Sequence, residues 1–427
     1  MWPPTERCAP GWARMGLEHE RHALACGTVV LTRPLEANDI VVARAFVPMG
    51  PLYEAEEEAG ISSLLQGVLT RGTQHRSASE MQDALADLGA EIDASTGNDL
   101  GSVSMRATVA TWEATLDLFL ETLTEPALDP REVETEIEQT LGALEAREDQ
   151  LMARATDLFR DLFYGQHPFH KRVLGTSHTV ATFDRERVAA AARRFYRPFP
   201  PIVVAVGRFD PETMLERFDR AFGRTPLVPP PPRPAPPVPG SGTRRLELDR
   251  EAAYLMHGFP APSWKDSDYP AARVIDAILG GSMSSRLFIE LREKRALGYQ
   301  VSSIYNDQLE GSFLAGYIVT DPARADQAAA GLAEQFRRVV EEPVGEEEIA
   351  AARRYLRGSY LIGAETNAAQ AMRLGRHEAY GLGQDFGDRW LAAIEAVTPE
   401  AIQALARRWL DREPTCAYVV PRGAPDF

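Results

Sequence analysis

Between Pro226 and Pro239 the chain carries nine prolines, interrupted only by Leu227, Val228, Arg233, Ala235 and Val238, and the run closes in Gly240-Ser241-Gly242. Proline has no backbone N–H and a ring that fixes φ, so this stretch is neither helix interior nor central strand. It favours a stiff polyproline II spacer. The chain has 427 residues, too many for one hydrophobic core of usual size. The run therefore divides the chain into an N-terminal domain, 1–225, a linker, 226–243, and a C-terminal domain, 244–427.

The two halves read as diverged copies. Val188-Ala-Ala-Ala-Ala-Arg193-Arg194-Phe195 resembles Ile402-Gln-Ala-Leu-Ala-Arg407-Arg408-Trp409, and each precedes an apolar run, Ile202–Val206 in one half and Cys416–Val420 in the other. Gly101-Ser102 and Gly311-Ser312 each open a strand followed by a helical pattern. A matched order of elements points to duplication. Within the first half, residues 28–31 and 40–46 are β-rich. Ser77 with Glu80 forms a capping-box pattern, ahead of a stripe of Met81, Ala84, Leu85 and Leu88 that ends at Gly89. Residues 91–96 and 102–108 flank Gly97-Asn98-Asp99 as a hairpin. Helical patterns follow at 111–124 and 131–163. The second half has helical patterns near 269–280, 284–296, 323–341 and 345–362, with strands at 300–306 and 311–319. The expected fold is α+β: two homologous halves, each an antiparallel sheet with helices packed on one face, forming a clam-like chain.

Net charge is −16, so a phosphate backbone is a poor partner and nucleic acid is excluded. Hydrophobic content of 44% and charged content of 25% are those of a globular protein. No apolar run is long enough to span a bilayer, and the first residues lack the basic-then-apolar pattern of a signal peptide. The expectation is a cytoplasmic protein without a membrane partner, starting at Met1 or at Met15. Cys8, Cys26 and Cys416 are odd in number and far apart, which fits neither a disulfide framework nor a metal knuckle.

Two segments carry the chemistry. Residues 60–73 read Gly60-Ile-Ser-Ser63-Leu-Leu-Gln66-Gly67-Val-Leu-Thr-Arg-Gly72-Thr73. Residues 279–299 read Leu279-Gly280-Gly281-Ser-Met-Ser-Ser285-Arg286-Leu287-Phe288-Ile-Glu-Leu291-Arg292-Glu-Lys294-Arg-Ala-Leu297-Gly298-Tyr299. Both frames, and nearly the whole chain from about Leu17 to Tyr418, resemble the inverted-zincin (pitrilysin-type, M16) peptidases. In that family the first frame is a helix with His-x-x-Glu-His before a closing Gly-Thr. Its two histidines hold Zn²⁺ and its Glu activates water. Here those positions are Ser63, Gln66 and Gly67. A hydroxyl is a poor zinc ligand, glycine has no side chain, and a primary amide cannot take a proton. The resemblance places the family's third ligand near Glu145, with the Glu that usually stands seven residues before it at Glu138; without the histidines, Glu145 reads as a surface or interface carboxylate. The second frame matches the family's Gly-rich turn (Gly280, Gly281), which could grip substrate or be only a tight turn. It also matches an Arg/Tyr pair seven residues apart, Arg292 and Tyr299. The resemblance implies that Arg292 holds a peptide carbonyl and that Tyr299 donates to the oxyanion of the tetrahedral intermediate.

The other histidines offer no zincin spacing. His19 and His22 lie in a charged, solvated stretch, His167 and His170 belong to a structural turn, and four residues after His377 stands Gly381. No metal is assigned to this chain. The resemblance implies a non-zinc subunit, inactive alone, of a heterodimeric metallopeptidase. Its partner would be an M16 subunit with intact His-x-x-Glu-His and its own zinc, and its substrate an unfolded peptide. Homodimerisation in the partner's absence is left open. The alternative is a catalytically inert structural or peptide-binding subunit of a larger assembly, and a third reading is a peptidase with a relocated zinc site.

Overall fold

The computed structural model describes residues 17–196, 200–223 and 231–425. Cys8, Met1, Met15 and residues 226–230 of the proline run lie outside the described residues. In the first half, β1 (Glu20–Ala23), β2 (Val29–Pro34), β3 (Ile40–Pro48), β4 (Glu91–Thr96), β5 (Leu100–Thr108) and β6 (Ile202–Gly207) form one sheet in the order β1-β2-β6-β3-β5-β4. In the second half, β7 (Gly242–Leu248), β8 (Ala253–Pro260), β9 (Gly298–Asn306), β10 (Phe313–Thr320) and β11 (Thr415–Pro421) form another in the order β7-β11-β8-β10-β9. The pairing is antiparallel except for one parallel pair in each sheet, β2 with β6 and β7 with β11. Leaving β1 aside, both sheets run first, last, second, fourth, third. The parallel pair arises because the last strand of each half returns into the sheet beside the first.

Local chemistry explains most element ends. Ser77 accepts from the Glu80 N–H, and the Glu80 carboxylate accepts from the Ser77 N–H, so the helix Ala78–Leu88 starts in a closed capping box. It stops at Gly89, whose φ of 58° is left-handed. Asn98 and Asp99 turn β4 into β5 beneath a Gly97 N–H to Leu100 carbonyl bond of 2.9 Å.

Each sheet is covered on both faces. In β3, Val41, Ala43, Ala45 and Val47 point into the core built by the first half's own helices. Val42 and Phe46 point the other way, onto Ala371 and Leu374 of the helix Asn367–Ala379, which belongs to the second half. β8 mirrors this arrangement. Ala253, Leu255 and Phe259 face the second half's helices, while Tyr254 and Met256 meet Phe159 and Phe163 of the helix Leu151–Tyr164 from the first half. Coverage on both faces is why β3 and β8 read as apolar runs rather than alternating strands. It also explains the difference at 131–163. The single expected helix is two, Pro130–Glu148 and Leu151–Tyr164, broken at Asp149-Gln150 where the chain turns from its own core onto the other sheet.

The crossed helices need glycine where they cross. A β-carbon placed on Gly375 would lie 1.9 Å from the Phe46 ring, and one placed on Gly258 would lie 2.5 Å from the Phe159 ring. Gly375→Val is expected to destabilise the chain by about 1–3 kcal/mol through overpacking. An unchanged urea midpoint would show that this helix is not seated on β3.

From residue 231 onward the proline run is docked on both halves. Gly240 donates to the Phe163 carbonyl at 2.9 Å, and Pro237 packs on Gly311. Arg233 reaches Asp99 of the first half at 2.9 Å and Glu310 of the second at 2.6 Å. Asp99 also accepts from the Tyr380 hydroxyl at 2.9 Å. Among the described residues no helix is long and apolar enough to cross a membrane. Cys26 and Cys416 are buried free thiols, one in each half.

Candidate functional site

The helix Ile61–Leu69 carries Ser63, Gln66 and Gly67. It begins at Gly60, whose φ of 98° is left-handed and whose α-carbon side faces the Leu174 and Gly175 backbone with no room for a β-carbon. The Glu54 carboxylate accepts from the Gly60 N–H at 3.0 Å and the Ser62 N–H at 2.9 Å, which suits an anion at a helix N-terminus. Burial raises the Glu54 carboxyl above the usual range, against the hydrogen bonds from Ser62 and Gly60 and the charge of Lys171.

Ser63 is half-buried on this helix. Gln66 is 3% exposed and fully engaged. Its amide nitrogen donates to the Ser95 carbonyl at 3.1 Å and lies 3.3 Å from the Met49 sulfur, while its oxygen accepts from the Tyr196 hydroxyl at 2.9 Å. The Tyr196 phenol is raised by its burial. The side of Gly67 is filled from the facing helix Pro130–Glu148, since a β-carbon on Gly67 would sit 2.1 Å from Glu136 Oε1. Glu136 is held by Arg71 at 2.6 Å, and Arg71 also reaches Glu132 at 3.3 Å, Gln139 at 2.7 Å and the Gly67 carbonyl at 3.1 Å. Glu138 and Glu145 are exposed. The carboxylate that meets position 67 is therefore Glu136, not Glu145.

This donor set does not fit zinc. One position is a hydroxyl, one an amide whose oxygen and nitrogen are both bonded, one has no side chain, and the nearest carboxylate is paired with a guanidinium. Among the described residues, no three His, Cys, Asp or Glu side chains converge as a metal ion would require. The histidines considered in the sequence as metal candidates have local partners. His22 bonds Thr32 at 3.0 Å and His19 bonds the Leu17 carbonyl at 2.7 Å, so both are half-buried rather than fully solvated. His167 accepts from the Phe169 N–H and caps the turn Pro168–His170.

Because Gln66 donates to a buried carbonyl, restoring an acid there has a predictable cost. Gln66→Glu places an ionised carboxylate against the Ser95 oxygen, so it should destabilise the chain by about 1–3 kcal/mol at pH 7. Below the raised pKa of that buried acid the carboxyl regains a donor and the deficit shrinks. Urea midpoints of the variant and parent at pH 7 and pH 5 check this; a deficit that grows on acidification would contradict it.

Arg292 and Tyr299 are brought together in the second half. Residues Phe288–Lys294 form π-helical turns in place of the expected α-helix, a widening frequent at functional sites. The wider register keeps Leu287 and Leu291 in the core as the chain turns. The Leu297 N–H closes on the Leu291 carbonyl at 2.8 Å, and Ala296 takes a left-handed φ of 49°. Arg324 donates to the carbonyls of Arg295 and Ala296, and Thr320 to that of Leu297, so the reversal is fastened from β10 and its following turn. Tyr299 thus enters β9 beside Arg292. The Arg292 guanidinium lies 4.7 Å from the centre of the Tyr299 ring and donates to the Tyr299 carbonyl at 3.0 Å. The Tyr299 side chain is 76% exposed on a strand that pairs on one side only.

Gly280 and Gly281 end the helix Tyr269–Gly280. A β-carbon on Gly280 would be 2.1 Å from the Ser303 nitrogen, and one on Gly281 would be 2.9 Å from the Tyr355 ring. Ser302 donates to the Gly280 carbonyl at 2.9 Å. The glycines let the turn close onto β9 and the helix Glu346–Ile362, and the turn presents Met283 outward at 76% exposure.

Sequence reading missed Arg71, Glu136 and Tyr196. Arg71 stands four residues after Gly67 and Glu132 four before Glu136, spacings that mark facing charged helix surfaces. Their meeting links positions 65 residues apart.

Two family models match the chain. "Insulinase (Peptidase family M16)" matches residues 29–177, and "Peptidase M16 inactive domain" matches residues 182–356. An uncharacterized zinc protease of Streptomyces coelicolor is 28% identical over 410 residues, covering 94% of this chain and 89% of its own. Another from Mycobacterium tuberculosis is 28% identical over 426 residues, covering 98% and 97%. Among solved structures, a peptidase M16 inactive domain from Pseudomonas fluorescens superposes with a TM-score of 0.90 at 20% identity, over 96% of this chain and 99% of that one. A protease from Helicobacter pylori gives 0.84 at 19%, over 95% and 100%. With both halves matched in order and the fold shared end to end, the chain belongs to peptidase family M16.

Proposed function

We propose that this chain is the non-zinc subunit of a heterodimeric M16-type metallopeptidase. The observation that carries the reading is a contrast between the halves. Gln66 and Gly67 are closed off by bonds and packing inside the first half, while Arg292 and Tyr299 are stacked and exposed in the second. The metal and the general base come from a partner subunit with intact His-x-x-Glu-His. This chain contributes donors: Arg292 to a peptide carbonyl, and the Tyr299 hydroxyl to the oxygen that becomes negative in the transition state. An unfolded peptide would add as a strand along an open sheet edge, and β9 carries Tyr299 on such an edge. The Gly280-Gly281 turn would present Met283 toward substrate or partner. The division into 1–225, 226–243 and 244–427 is retained as the domain plan.

The test is cleavage of a quenched fluorescent, unstructured peptide by this chain alone, by the partner alone and by the mixture, each with and without a chelator. Activity confined to the mixture and abolished by chelation is the expected result. A fully active partner without this chain would favour the inert structural or peptide-binding reading. Cleavage by this chain alone would overturn the assignment made from Ser63, Gln66 and Gly67. Sedimentation of the chain alone reports whether it pairs with itself.

A further inference from the structure

We infer that Phe288 is a positioning residue for Arg292, an inference that rests on the reading of Arg292 given above. Phe288 stands four residues before Arg292 on the same short helical segment, a spacing that brings side chains together on one face. The Arg292 guanidinium lies 4.6 Å from the centre of the Phe288 ring and 4.7 Å from that of Tyr299. The cation therefore lies over two aromatic rings, one from the helical turn before it and one from the strand after it. Phe288 itself is anchored, since it packs against the core of the second half. Tyr299 is the exposed member of the stack and Phe288 the fixed one. Glu293, on its own segment, lies 3.7 Å from the Arg292 Nε, close to the outer limit of an ion pair.

Stacking of this kind orients a guanidinium without consuming its edge. Arg has five N–H donors in a planar fork, and attraction to a ring face leaves them free to point sideways. Here one donor is spent on the Tyr299 carbonyl at 3.0 Å. The others are available to a peptide carbonyl, and Phe288 fixes the plane in which they are offered. A leucine at 288 would keep the apolar contact with the core but remove the aromatic face; a tyrosine would keep both.

The experiment uses the reconstituted complex for kinetics and the full chain for spectroscopy. The Arg292 Nε–H signal, assigned through its loss in Arg292→Ala, should be shifted upfield by the two rings. Phe288→Leu should move it toward the position of a free arginine and raise KM about two- to fivefold with kcat nearly unchanged, in keeping with the loss of one cation–π contact. Phe288→Tyr should restore both. If Arg292→Ala costs activity while Phe288→Leu moves neither the signal nor KM, the positioning role of Phe288 is wrong and the reading of Arg292 stands. If Arg292→Ala leaves activity unchanged, the reading of Arg292 falls and the role of Phe288 falls with it.

Discussion

In a complex with an M16 partner carrying intact His-x-x-Glu-His, Tyr299→Phe lowers kcat by about 10²–10³-fold, the loss typical of one donor removed from an oxyanion site. The substitution takes away one hydroxyl and leaves the ring. The cation–π stack with Arg292 and the hydrogen bond from Arg292 to the Tyr299 carbonyl both survive it, because neither uses the phenol oxygen. A donor aimed at charge that develops only in the transition state acts on kcat, whereas a donor to the ground-state carbonyl acts on KM. Arg292→Ala is therefore expected to raise KM, and to lower kcat as well because Tyr299 loses the guanidinium stacked on its ring. Tyr355→Phe serves as the control: it removes an exposed phenol from beside the Gly281 turn and should change nothing. A kcat for Tyr299→Phe within twofold of the parent would mean that the pair has no catalytic role and would favour the inert subunit.

The nearness of Arg292 and Tyr299 was legible through the family motif that they match, and it survives in the fold because it is local. Seven residues separate them, and the reversal between them is fastened by Thr320 and Arg324, which follow in the next strand and turn. The same holds for the capping box at Ser77 and Glu80 and for the Asn98-Asp99 hairpin, whose signals and consequences lie within one element. The duplication was legible too, through the paired helix–strand endings at 185–207 and 399–421, and the strand orders repeat it.

What was not legible depends on contacts between distant segments. Gly258 and Gly375 look in sequence like weak points in a strand and a helix; each is where a phenylalanine from the other half needs room. The proline run reads as a spacer because its composition excludes helix and central strand. Contacts with distant residues turn it into a strap, among them those of Arg233 with Asp99, 134 residues upstream, and with Glu310, 77 downstream. At the degenerate motif the residue types at positions 63, 66 and 67 were readable from the chain itself. That Arg71 and Glu136 close the space beside Gly67 was not, because the facing helix could be placed only to within a residue or two, and one residue rotates a helical side chain by about 100°.

Lowering the pH from 7.5 to 5 should destabilise the chain through two buried histidines, each by about 2 kcal/mol. Burial depresses His257 to about 4; its Nε2 meets the Tyr418 hydroxyl at 2.7 Å and its Nδ1 has no hydrogen-bond partner among the described residues. Burial also depresses His377, to about 3, and the charges of Arg373, Arg376, His19 and Arg389 push the same way. The His377 ring packs against Trp264 and Phe386 at the base of the helix that crosses onto the first sheet. Both histidines are neutral in the fold. As pH falls below about 6.5 the unfolded chain takes up protons that the folded chain refuses, so stability drops until the folded values are passed. Above that pH the two groups are neutral in both states and contribute no pH dependence. His257→Gln with His377→Gln removes both titrations, so the double variant should lose about 4 kcal/mol less than the parent between pH 7.5 and pH 5, whatever its own starting stability. Urea unfolding at the two pH values measures the difference directly. Equal losses in parent and variant would place the acid sensitivity elsewhere and would mean that neither histidine is held neutral by the fold; Glu54 is no source of it, because a carboxyl raised by burial gains stability for the fold as the pH falls.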